Sequence, residues 1–179
     1  MGKYRKPLIV LAILLAAFMI FSFIYRAIFS MEEATSFEVN SPELETKVFI
    51  ATQGSTFKDE LVSQVIDSLK GHSIYVAVRD ITVLTTINPD NWQAILVIHT
   101  WEYSSPPEAV RQFASSIQNQ NQVVFFTTTS GIRDYSMEGV DAISGASNWD
   151  HMNQYVNQIM EKLKLLLPNI SIDESHIVH

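Results

Sequence analysis

Residues 47–57 read KVFIATQGSTF, Lys47 through Phe57, and this stretch decides the fold. Residues 47–52 form a short apolar run, the pattern of a strand buried on both faces. Residues 53–56 make a polar turn containing Gly54. From Phe57 the apolar residues recur at helical spacing, at Leu61, Val62, Val65, Ile66 and Leu69, and Gly71 supplies a stop. Further along, residues 73–78 (SIYVAV), 94–100 (AILVIHT) and 123–127 (VVFFT) read as strands, and residues 140–144 as a short fifth. Residues 82–91 are ambiguous and contain the turn cluster Asn88-Pro89-Asp90-Asn91. Ser105 is the expected cap of a helix with Pro106 at its first position and Val110, Phe113, Ala114 and Ile117 as its apolar stripe. An amphipathic helix follows over 149–167, ended by Pro168. Apolar strands alternating with helices predict an α/β domain, a doubly wound parallel sheet with right-handed crossovers. Ligands of such sheets sit beyond the carboxyl ends of the strands. The loops at 52–57, 100–106 and 128–139 are therefore the places to look.

Outward from this domain, residues 8–25 are apolar with Ser22 as a mild exception, and Ala27, Ile28 and Phe29 extend the run past Arg26. About 20 apolar residues cross a bilayer as a helix. Lys3, Arg5 and Lys6 precede the run, and Glu32 and Glu33 follow it. The positive-inside rule then predicts a single-pass anchor in the cell membrane through residues 8–29, with the N-terminus cytoplasmic and the domain extracytoplasmic. A cleaved signal peptide is the rival, but its apolar core is shorter, and no small-x-small site follows before Met31. The expected organisation is a tip and transmembrane anchor over 1–30, an acidic, hydroxyl-rich linker over 31–46, the α/β domain over 47–167 and a tail over 168–179.

The chain has 179 residues, room for one ordinary domain. Its charge divides sharply. Residues 1–30 hold four bases and no acid, leaving eight bases against 19 acids in the rest. So acidic a domain argues against nucleic acid, whose phosphates are bound by Lys and Arg. With no cysteine, disulfides, thiolate metal sites and cysteine nucleophiles are excluded. No Gly-x-Ser-x-Gly elbow is present, and the five histidines show no ligand spacing with carboxylates. His99, at a strand end, reads as a core or pocket residue.

The strand, the hydroxyl-rich turn with Gly54 and the helix after it resemble the flavodoxin family. So does the segment 94–113 with its Pro106-Pro107 helix start. The resemblance covers residues 47–167 and implies a parallel sheet of order 2-1-3-4-5 with FMN at the strand ends. It implies phosphate held at Thr52, Gln53, Gly54, Ser55 and Thr56, and a flavin ring lying against Trp101 or Tyr103 on one side and Tyr135 on the other. Two departures stand out. The family's phosphate loop usually reads Ser/Thr-x-Thr-Gly-x-Thr, whereas Ala51 and Gln53 occupy the first two hydroxyl positions here. Gly54 and Thr56 match, with Thr52 and Ser55 as substitutes. Residues 128–139 are also too short a connection, and too broken by Gly131, for the family's fourth helix.

Each of these residues has a plainer reading. Ser55 or Thr56 can simply cap a helix, and Trp101 and Tyr103 can lie half-buried under a loop. Residues 141–147 (DAISGAS) resemble the sequence at which exported flavoproteins carry FMN through phosphate on a final Thr or Ser, here Ser147. The alternative is that Ser147 caps the last helix with Asp150 as its partner. Three functions follow as expectations: an FMN-binding domain serving electron transfer; a flavin-free domain binding a partner or ligand beside the membrane; and a domain flavinylated at Ser147.

Overall fold

The computed structural model describes residues 5–29, 32–101, 105–117, 119–129 and 142–167. The chain divides into two units, Met1–Glu32 and Glu33–His179. The first is helix α1 (Arg5–Phe29), whose 25 residues make a rod about 37 Å long. Its described side chains from Leu8 to Ile24 are exposed except Ser22, which is half-buried. The structure does not establish the membrane span expected over residues 8–29. Among the described residues no helix is long and apolar enough to cross a membrane, and the contiguous described side chains of α1 run only from Leu8 to Ile24.

The second unit is a six-stranded sheet with helices on both faces. Its elements in chain order are β1 (Phe37–Val39), β2 (Thr46–Thr52), α2 (Thr56–Leu69), β3 (Ile74–Asp80), β4 (Ala94–Thr100), α3 (Glu108–Ser116), β5 (Val123–Thr129), β6 (Ala142–Ala146) and α4 (Met152–Leu166). The order across the sheet is β1-β3-β2-β4-β5-β6. Among the described residues, strands β2 to β6 are parallel, and β1 runs antiparallel on β3. Counted over the parallel strands alone, the order is the expected 2-1-3-4-5, the flavodoxin-like winding, with a short last strand.

Strand β1 corrects the reading of residues 31–46 as a linker. A three-residue edge strand carries no periodicity to detect, and side chains hold it in place. The Arg79 guanidinium donates to the Phe37 carbonyl at 3.0 Å and to the Glu38 carboxylate, and the Asn40 amide donates to the Ile74 carbonyl at 2.7 Å. Asn40 takes a φ of 66°, a conformation asparagine tolerates better than most residues. Before it, the Ala34 N–H donates to the buried Asp80 carboxylate at 3.0 Å. The folded unit therefore starts near Glu33 instead of Lys47.

Alternation within the strands builds two cores. Val48, Ile50, Leu96, Ile98, Val124 and Phe126 face α2 and α4. Phe49, Ala51, Ile95, Val97, Val123 and Phe125 face α3 and a 3-10 turn at Ile81–Thr85. The ambiguous stretch after β3 thus crosses over on 3-10 turns, the second at Pro89–Asn91, instead of an α-helix. Two helix starts also move. Helix α3 begins at Glu108, with Pro107 in the cap position and no side-chain cap, so Ser105 and Pro106 lie outside it. A residue before proline is pushed out of the helical region, and here both Ser105 and Pro106 precede one. Ahead of α4, Asn148 caps the 3-10 turn Trp149–His151, its side chain accepting from the Asp150 N–H at 3.0 Å; α4 itself starts at Met152 with no side-chain cap, and Ser147 is exposed.

Gly145 has a packing reason. A Cβ there would stand 2.5 Å from Tyr155 Cζ, inside the ring that meets Phe126 and Phe57 edge-on. Gly145→Ala should destabilise the domain by about 1–3 kcal/mol through overpacking. Urea unfolding of the variant checks this, and an unchanged midpoint would refute the close approach.

Candidate functional site

The carboxyl ends of β2, β4 and β5 bring Thr52, Thr100, Thr127 and Thr128 together with His99 and the turn into α2. The switch point, where the winding reverses and such folds open a crevice, lies between β2 and β4. Gln53 occupies that position and is only 5% exposed. Its backbone N–H donates to the Ile98 carbonyl at 3.3 Å, and its side-chain Oε1 accepts from the Thr100 N–H at 2.6 Å. The side-chain amide therefore continues the ladder beyond the Thr52–Ile98 pair and draws the two strand ends together.

The other loop residues divide by role. Thr52 is buried, and its hydroxyl donates to the Gln53 carbonyl at 3.2 Å. Gly54 is buried, Ser55 half-buried and Thr56 exposed. Ser55 caps α2, accepting from the Lys58 N–H at 3.3 Å, so the plainer reading of that hydroxyl holds. Trp101 is half-buried, and its backbone N–H donates to the Thr128 carbonyl at 3.2 Å. Tyr103 and Tyr135 lie outside the described residues, as do residues 130–139 of the 128–139 connection that reads as too short for the family's fourth helix.

Two residues here went unassigned to the site by sequence. Lys58, in the first turn of α2, is 1% exposed. Its signal was a cation three and four residues before Leu61 and Val62, on the apolar stripe of the helix. His99 is fully buried, as its strand-end position suggested, with Nε2 3.1 Å from the Thr127 hydroxyl. Burial pushes the His99 imidazole down to about 4, against a backbone hydrogen bond at Thr100, and the Lys58 charge lowers it further. His99 is therefore neutral at pH 7. Hydroxyls of Thr100 and Thr128 meet at 2.6 Å beside it. Among the described residues no three His, Asp or Glu side chains are placed to hold a metal.

These residues fit a flavin phosphate in part. Gly54 and Thr56 lie at the start of a 14-residue helix, whose free N–H groups can meet an anion. Thr52 and Gln53 are engaged within the protein.

No family model and no curated protein matches the chain. Among solved structures, it is similar to the Flv1 flavodiiron core from Synechocystis sp. PCC6803, at 8% identity and a TM-score of 0.49, over 72% of this chain and 38% of that one. The chain therefore spans well under half of that protein. It is also similar to a flavodoxin from the domain Archaea, at 10% identity and TM-score 0.47, over 68% of this chain and 99% of that one. A third is general stress protein 14 of Treponema denticola in complex with FMN, at 8% identity and TM-score 0.38, over 68% and 97% of the two chains. The flavodoxin-like fold rests on this chain's own strand order and parallel pairing.

Proposed function

We propose that the chain is a single-pass, membrane-anchored, flavodoxin-like binding module that works without a flavin, its N-terminus cytoplasmic and its domain across the membrane. The observation carrying the flavin-free part is Gln53, whose side chain occupies the switch point through the Thr100 N–H. A fold does not dictate a function, and the site decides between the readings. The anchor is supported by the run at 8–25, apolar but for Ser22, with Lys3, Arg5 and Lys6 before it and Glu32 and Glu33 after it. The absorbance spectrum of the purified full chain tests the flavin-free part, and the expected spectrum is that of a colourless protein. Protease added outside spheroplasts tests the topology. The domain should be degraded, and protection until lysis would overturn the orientation.

A second reading, FMN bound noncovalently, is favoured by one observation, the buried Lys58 in the first turn of α2. A cation there adds to the positive end of the helix, where an anion is stabilised. On this reading Thr56→Val removes a hydrogen bond to a charged group and weakens FMN binding by about 1.5–3 kcal/mol. Riboflavin, lacking the phosphate, binds far less well. A flavin that stays with the denatured chain would instead support attachment at the exposed Ser147.

A further inference from the structure

Leu165, one residue from the end of α4, is 85% exposed, more than any other large apolar side chain among the described residues of the domain. It stands on the lip of a groove of about 490 Å³. Ile117, the cap residue of α3, Val123 and Phe125 of β5 and Leu166 of α4 line that groove. Its place in the fold follows from the register. The first residue of β6, Ala142, pairs with Phe125, so among the described residues no strand lies beside Val123 and Val124 on that side of β5. Ile117 packs on one face of the sheet and Leu166 on the other. The groove therefore opens at the edge of the sheet, between the ends of the two helices.

Charge sets this face apart. Of the 19 acids and eight bases after residue 30, residues 109–129 and 152–167 hold one acid, Glu161, and three bases, Arg111, Lys162 and Lys164. The Arg111 guanidinium is held by Glu108 of its own helix, at 3.1 Å. Ser115, Ser116, Asn119, Gln120 and Asn121 are exposed hydroxyls and amides, and the last two reach the groove. Shortage of charge, more than apolar content, marks the centre of a protein interface. We propose that two copies of the chain meet on this face about a two-fold axis, each seating its Leu165 in the groove of the other. Knob and groove lie side by side on one surface, and a single two-fold axis between them serves both, which closes the pair. Burial of the leucine supplies the gain. The charge distribution argues for a second copy on this face. Contact through the acid-rich remainder of the domain would set like charges together, whereas here the repulsion between two acidic copies is least. The pairing depends neither on the anchor nor on the flavin question.

The test is sedimentation equilibrium of the purified full chain in detergent, with Leu165→Glu, Asn121→Glu and Ser63→Glu beside it. All three positions are exposed, so the fold should be kept, and urea unfolding of each variant checks this. The parent should form a concentration-dependent dimer. Leu165→Glu and Asn121→Glu should each weaken it about tenfold or more, because a carboxylate is then carried into the apolar contact. Ser63→Glu adds the same charge on α2, does not line the groove, and should leave the dimer nearly unchanged. A parent that stays monomeric at its highest soluble concentration overturns the proposal. So does a dimer that Leu165→Glu or Asn121→Glu leaves intact, the result of pairing through α1. A dimer that Ser63→Glu weakens as much as Leu165→Glu overturns it too, because general repulsion would then explain both.

Discussion

Replacing Phe126 by alanine is expected to cost about 3–5 kcal/mol of unfolding free energy, the loss for a large aromatic removed from a core that closes only partly. Phe126 lies at the centre of β5, is fully buried, and meets Tyr155 of α4 edge-on with ring centroids 5.1 Å apart. The same sheet face carries Ile98 and Val124 beneath α2 and α4. Urea unfolding followed by circular dichroism measures the loss. A loss below about 1 kcal/mol is the size expected at the surface and would contradict a sheet covered on this face.

Stability should fall as pH is lowered from about 6.5 to about 4, and His99 should account for much of the fall. In the folded chain burial lowers this imidazole to about 4 from its ordinary 6.5. The unfolded state therefore binds the proton first, between those two values. Stability is whole above 6.5 and drains as pH falls toward 4, at up to about 1.4 kcal/mol per pH unit and about 3 kcal/mol in all. The urea midpoint across that range should be flatter in His99→Gln than in the parent. Equal slopes would place the titrating groups elsewhere.

Long apolar runs made the parallel sheet legible. Residues 94–100 were bounded to the residue, and β2, β3 and β5 within two, because a strand buried on both faces leaves no polar interruption. Strand β1 was illegible because three residues have no period and its hold comes from Arg79, some 40 positions away. The start of α3 was misplaced because the Pro106-Pro107 pair reads as a helix entry, whereas a residue before proline is biased out of the helix and α3 starts only at Glu108. In the site, the loop at 52–56 could be located, since strand-turn-helix is a local pattern. The roles within it could not. Whether Gln53 reaches a ligand or the Thr100 N–H depends on where β4 lies beside β2. Lys58 was hidden for a similar reason, a cation on an apolar stripe whose surroundings come from other strands. Gly145 looked like part of a modification motif, and the Tyr155 ring explains it by packing.

The most direct measurement is a titration of the purified full chain with FMN, followed by flavin fluorescence, with riboflavin as the comparison. No saturable binding of either compound is expected, because the Gln53 amide already occupies the switch point and accepts from the Thr100 N–H at 2.6 Å. Saturable one-to-one binding of FMN, with riboflavin much weaker and Thr56→Val reducing the affinity, would contradict it.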